Sequence, residues 1–293
     1  MTLHARGYRP HEHGLDGRGP RFLPILAQGY RDAVRGKAFR RLTLVFLIAL
    51  VFHCVTLYVV PEFLLKRVSG FSGPSELLRT TVASYVQTMS PLVPLLALFV
   101  GAGLVAEDLR TRALPLYLVR ALTPVDYWLG KLLIPVSVIA TSYVAPLLFL
   151  VLFGVLLRPS DEILGFAAEQ GRLTVAVLAH GLLTGLTYGS LMLLVSTLAG
   201  RRIGALLLGA AVVYGGEMLR VTLGRQSIPG RDYWRALALP SDLRVVFNEI
   251  AGIPPRWAGW SPRVAFALVA VGVVIVVGAL VVLRRARSVE VTS

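Results

Sequence analysis

Residues 132–157 read LLIPVSVIATSYVAPLLFLVLFGVLL, a run of 26 residues with no charged side chain. As an α-helix it reaches about 39 Å, more than the ~30 Å hydrocarbon core of a bilayer. The rest of the chain repeats the pattern: residues 42–60, 82–106, 173–200 and 264–283 are apolar over comparable lengths. The weakest run, 203–219, is uncharged from Ile203 to Gly216 and continues through Glu217 to Leu219. A re-entrant segment, or a helix whose outer end lies within protein, is its alternative; a full span is expected. The predicted fold class is all-α, a polytopic integral membrane protein whose six transmembrane helices occupy residues 42–283.

Composition agrees. Of 293 residues, 55% are hydrophobic and 16% charged, and the mean hydropathy is +0.69. Soluble domains carry about 25% charged residues. These values exclude intrinsic disorder and a fibrous repeat. Cys54 is the only cysteine, so the chain has no intrachain disulfide and no cysteine cluster for zinc. The net charge of +14 is read as basic residues flanking spans beside anionic lipid, and nucleic acid is not an expected partner.

Sidedness follows from the same residues. With the N-terminus inside, 18 of the 30 Lys and Arg fall in the inner segments, and they crowd the first span at Arg35, Lys37, Arg40 and Arg41. They crowd the last at Arg284, Arg285 and Arg287. Both termini are expected in the cytoplasm. Residues 1–20 read as a disordered tail, retained rather than cleaved, and 284–293 as a basic tail. Between them, residues 21–41 differ: Phe22, Leu26, Tyr30 and Val34 recur every four residues among Arg31, Asp32 and Arg35. This spacing predicts an amphipathic helix lying in the inner headgroup layer. A long outer loop, 221–263, is expected to hold a short helix over Asp242–Ile250, with Ser241 as N-cap after Pro240.

The inner loop after the second span reads AEDLRTRALPLYLVR over residues 106–120. It is too short to fold alone and too apolar for a solvated linker. It either packs on the inner ends of its own spans or docks a soluble partner. Thr123, Pro124 and Asp126 then form a start signal for the third helix.

Two stretches carry a family resemblance. GAGLVAEDLRTRAL at 101–114, followed by YWLGKLL at 127–133, resembles the signature of ABC-2 type transporter permeases, and ILAQGYRDAVRGKAF at 25–39 resembles their N-terminal interfacial helix. Where that family commonly has a Ser/Arg-Pro pair, this chain has Arg120-Ala121 and Thr123-Pro124. The resemblance implies a permease half in the bacterial inner membrane, mostly an exporter. It implies a second permease copy, or a homologue, as partner, with separate cytoplasmic P-loop ATPase subunits supplying energy. It makes 107–131 a coupling loop, with Glu107, Asp108, Leu109, Arg110, Arg112, Leu114, Leu116, Tyr117, Leu118 and Arg120 facing the ATPase. Arg201 and Arg202, in the turn after Gly200, become a minor contact. The chain has no G-x-x-x-x-G-K-[ST], so ATP and Mg would belong to the partner. An ATP-independent carrier or channel subunit, and a non-transporting scaffold, are the alternatives.

The remaining candidates are sparse. Gly181, Gly185 and Gly189 recur every four residues, a small-residue ridge for helix packing or a dimer seam. His53, His180 and Glu217 are ionisable groups within or at the edge of spans. Of these, Glu217 and His180 are candidates for a substrate path. A local Glu217–Arg220 ion pair is the plainer account of the first. No residues have metal-ligand spacing, and no H-E-x-x-H or G-x-S-x-G occurs, so neither a metal site nor catalytic residues are expected.

Overall fold

The computed structural model describes residues 20–63, 73–111, 113, 122–224, 238–253 and 264–290. Among them every regular element is helical. Helix α1 (Leu23–Arg35) is followed across Gly36 by α2 (Lys37–Phe63). Next come α3 (Pro74–Met89), α4 (Val93–Gly101) and the short α5 (Ala106–Arg110). Helix α6 (Pro124–Ile139) runs through a π-helical turn (Ala140–Val144) into α7 (Ala145–Leu156). The rest are α8 (Ile163–Glu169), α9 (Gly171–Ala199), α10 (Arg202–Gly224), α11 (Leu239–Ala251) and α12 (Val264–Glu290).

Five units are long and apolar enough to cross a membrane: α2, α6 with α7, α9, α10 and α12. The expected second span is not one straight helix from 82 to 106. It begins at Pro74 and bends by 45° between α3 and α4, and only the two together are long and apolar enough to cross a membrane. Pro91 lies at the break and Pro94 just beyond it, and each lacks the N–H that would continue the ladder. The weak run at 203–219 forms an unbroken helix to Gly224.

Contacts between distant residues define two ends of the bundle. At the first, Ser196 meets Val105 and Ala106, Lys131 meets Asp108, and Arg202 meets Glu107. At the second, Ser75 meets Glu169 and Arg172 meets the carbonyls of Glu249 and Ile250. Helices α6–α7 and α9 occupy the middle: 61% of the most apolar stretch of each is buried, against 22% for α2, α10 and α12. Between apolar helices in lipid, close packing replaces the hydrophobic effect as the driving force. The glycine ridge of α9 is used this way within the chain. A Cβ on Gly181 would strike Val144, one on Gly185 would crowd Val136, and one on Gly189 would crowd Leu132 and Pro135.

Helix α1 lies on α6 by the same device, since a Cβ on Gly29 would collide with Ile134 and one on Gly130 with Ile25. The face bearing Phe22, Leu26, Tyr30 and Val34 is half-buried, and Arg31, Asp32 and Arg35 are exposed. Helix α11 corrects the reading of the outer loop. It starts at Leu239 behind Ala238, so Ser241 lies in its first turn and is not its cap. The Ser241 hydroxyl is directed at Glu217 of α10 instead of its own backbone.

Candidate functional site

At the first end, local sequence signals set the geometry. Thr123 Oγ1 accepts from Asp126 N at 3.1 Å and the Asp126 carboxylate accepts from Thr123 N at 3.1 Å, a complete capping box that fixes the start of α6. One turn in, Tyr127 and Lys131 share a face four residues apart. Both reach Asp108 of α5: Lys131 Nζ lies 2.7 Å and Tyr127 Oη 2.8 Å from Oδ2. The ion pair is almost closed to solvent, with side-chain exposures of 10% and 13%. The junction of α4 and α5 is held by Ser196 of α9. Its buried Oγ accepts from Val105 N at 3.1 Å and Ala106 N at 2.9 Å, and donates to Ala102 O at 2.9 Å.

Of the proposed coupling residues, Glu107 and Arg110 are exposed, Leu109 is half-buried, and Asp108 is turned inward. Arg202, behind the left-handed Gly200 (φ +61°), reaches Glu107 at 3.7 Å in a half-exposed pair, and Arg201 is exposed. Arg112, Leu114, Leu116, Tyr117, Leu118 and Arg120 lie outside the described residues. A cavity of about 1230 Å³ opens beside this cluster, between α1, the start of α2, the last turn of α4 and α6, with Phe39, Phe99, Glu107, Lys131 and Arg202 on its walls. Sequence reasoning passed over Lys131, Tyr127 and Ser196 as site residues. The signal for Lys131 was a lone cation immediately before the uncharged run 132–157.

The second end holds the intramembrane candidates. His53 Nδ1 pairs with Ala49 O at 2.8 Å, a bond within its own helix. His180 Nε2 pairs with Tyr143 Oη at 3.0 Å, and Tyr143 stacks on Tyr85. The π-helical turn brings Tyr143 into this stack. Phe247 of α11 also packs on His180, ring centroids 5.2 Å apart. Glu217 accepts from Arg220 Nε at 3.0 Å and from Ser241 Oγ at 3.0 Å, and lies 3.6 Å from Arg244. His180 and Glu217 therefore do not touch each other, and both contact α11.

Asp242, in the first turn of α11, is fully buried, and neither carboxylate oxygen has a hydrogen-bond partner. Burial, with Glu217 adding to it, pushes its pKa up from the ordinary 3.8 to about 7. The Arg244 guanidinium is pushed down by burial and held up in part by Glu217. Among the described residues no group of three His, Cys, Asp or Glu could hold a metal ion.

The class these features define is a multi-pass helical membrane protein. No protein-family model matches the chain, and no curated protein matches it.

Proposed function

We propose that the chain is the transmembrane subunit of an ABC-2 type ATP-driven exporter of the bacterial inner membrane. In this reading α3 and α4 form one bent span, giving six, and both termini lie in the cytoplasm with α1 in the inner headgroup layer. The observation that carries it is the stiff junction at the end of the second span. Helix α5 is tied by Asp108 to Lys131 and Tyr127, and its first residues are tied by Ser196 to α9. A force applied to α5 therefore reaches the third and fourth spans directly. Asp108 positions the junction, while exposed Glu107 and Arg110 are left for the ATPase. A second permease, identical or homologous, completes the transport pathway, and alternation between two states requires different contacts with the ATPase in each. The crowding of basic residues at the first end supports its cytoplasmic placement.

The test is gentle-detergent purification of the tagged chain from its native membranes with mass spectrometry of what accompanies it. A P-loop ATPase in stoichiometric amount is the expected result, and charge reversal at Glu107 and Arg110 should release it while the chain stays in the membrane. Repeated absence of an ATPase from intact preparations overturns the proposal in favour of an ATP-independent carrier or a scaffold.

A further inference from the structure

Helix α11 is held by polar contacts at both of its ends. Its first turn is tied through Ser241 and Arg244 to Glu217, and Ser90, at the bend of α3 and α4, donates to Pro240 O at 3.4 Å. Its last turn is tied through Arg172 Nε to Ile250 O at 2.7 Å and Arg172 Nη2 to Glu249 O at 3.0 Å. Asp242 sits among these contacts with both oxygens closed to solvent and unpartnered. A charged carboxylate in that position loses its hydration and gains no hydrogen bond, whereas a neutral carboxyl is tolerated at far lower cost.

We infer that Asp242 is a proton-binding site that sets how firmly α11 is seated between α9, α10 and α12. The ligand is a single proton, and the responsive element is α11 itself. Ionisable groups stand on the helices around it. Helix α10 presents Glu217 and Arg220, which act on Asp242 with opposite sign, together with Tyr214. Helix α9 presents His180 and Tyr188, with Arg172 at the far end of α11. Helix α3 carries Tyr85, and the π-helical turn carries Tyr143. Helix α12 has no Asp, Glu, Lys, Arg or His between Val264 and Leu283. On α11 itself stand Arg244 and Glu249. Arg220 and Arg244 are already engaged by Glu217, so neither bonds Asp242.

The sign is fixed by linkage. Seating raises the carboxyl pKa, so the proton favours the seated helix. The stabilisation is complete below about 3.8 and is gone once the pH has passed about 7. Backbone hydrogen exchange of Leu239–Ala251, measured on the full chain in nanodiscs and corrected for intrinsic rates, reads this directly. Between those limits the opening of α11 should rise by up to about tenfold per pH unit and then level off. Asp242→Asn should remove the dependence and keep the helix protected throughout. Flat wild-type protection over this range overturns the inference with no variant needed. So does an Asn variant that follows the wild-type curve. Neither reading involves ATP or a transported solute, so this test fails or succeeds apart from the ATPase test.

Discussion

Two aspartates stand in the first turns of short helices at opposite ends of one bundle, and their surroundings are opposite. Asp108 of α5 has an ammonium at 2.7 Å and a phenol at 2.8 Å. Asp242 of α11 is more deeply buried and has no partner. A paired charge in a dry site resists displacement, because moving either partner strands the other. An unpaired carboxyl imposes no such restraint and can release its proton when its helix shifts. The first end is therefore built as a strut and the second as a movable part.

The largest expected effect tests the strut. Lys131→Met leaves Asp108 buried without its cation and should cost about 3–5 kcal/mol in unfolding of the nanodisc-embedded chain. Adding Asp108→Leu to that variant should recover most of the loss, since an apolar pair of similar volume is often neutral. A single-variant cost near zero would erase the contrast with Asp242. Next comes Ser196→Ala, which strands the N–H groups of Val105 and Ala106 and should cost about 1–3 kcal/mol. Its hydrogen exchange should loosen at the α4–α5 junction and leave α11 unchanged. Loosening of both ends would mean that they are one unit and not two.

The two ends also differ in how much of them could be read in advance. The six apolar runs and the Thr123–Pro124–Asp126 helix start were legible because they depend on residues adjacent in sequence. So was a helix between α10 and α12. Its depth was not legible: what seats α11 is Ser90 at the bend after α3, Arg172 of α9 and Glu217 of α10. The same contacts took Ser241 away from the capping role its position suggested. The bend at Pro91 was hidden because apolarity continues across it, and hydropathy does not register a broken ladder. Read singly, Asp108 is a charge offered to a partner and Lys131 is one residue of the YWLGKLL stretch. Their pairing depends on how the second and third spans pack, and no local spacing encodes it.

The smallest stability effect is the sharpest test of the division at the first end. Glu107 and Arg202 are 3.7 Å apart and more than half exposed, so removing the pair with Glu107→Gln and Arg202→Gln should change stability by about 0.2–1 kcal/mol. Lys131→Met disturbs the fold; this double variant should leave the fold intact and lower ATPase association if residues 107–120 are the docking surface. Measured side by side, stability and association should move independently: Asp108 and Lys131 govern the first, Glu107 and Arg202 the second. If association survives the surface variant and falls only in proportion to stability, the exposed charges have no part in coupling. The junction would then be structural throughout, and the contrast between the two ends would reduce to one buried pair and one buried acid.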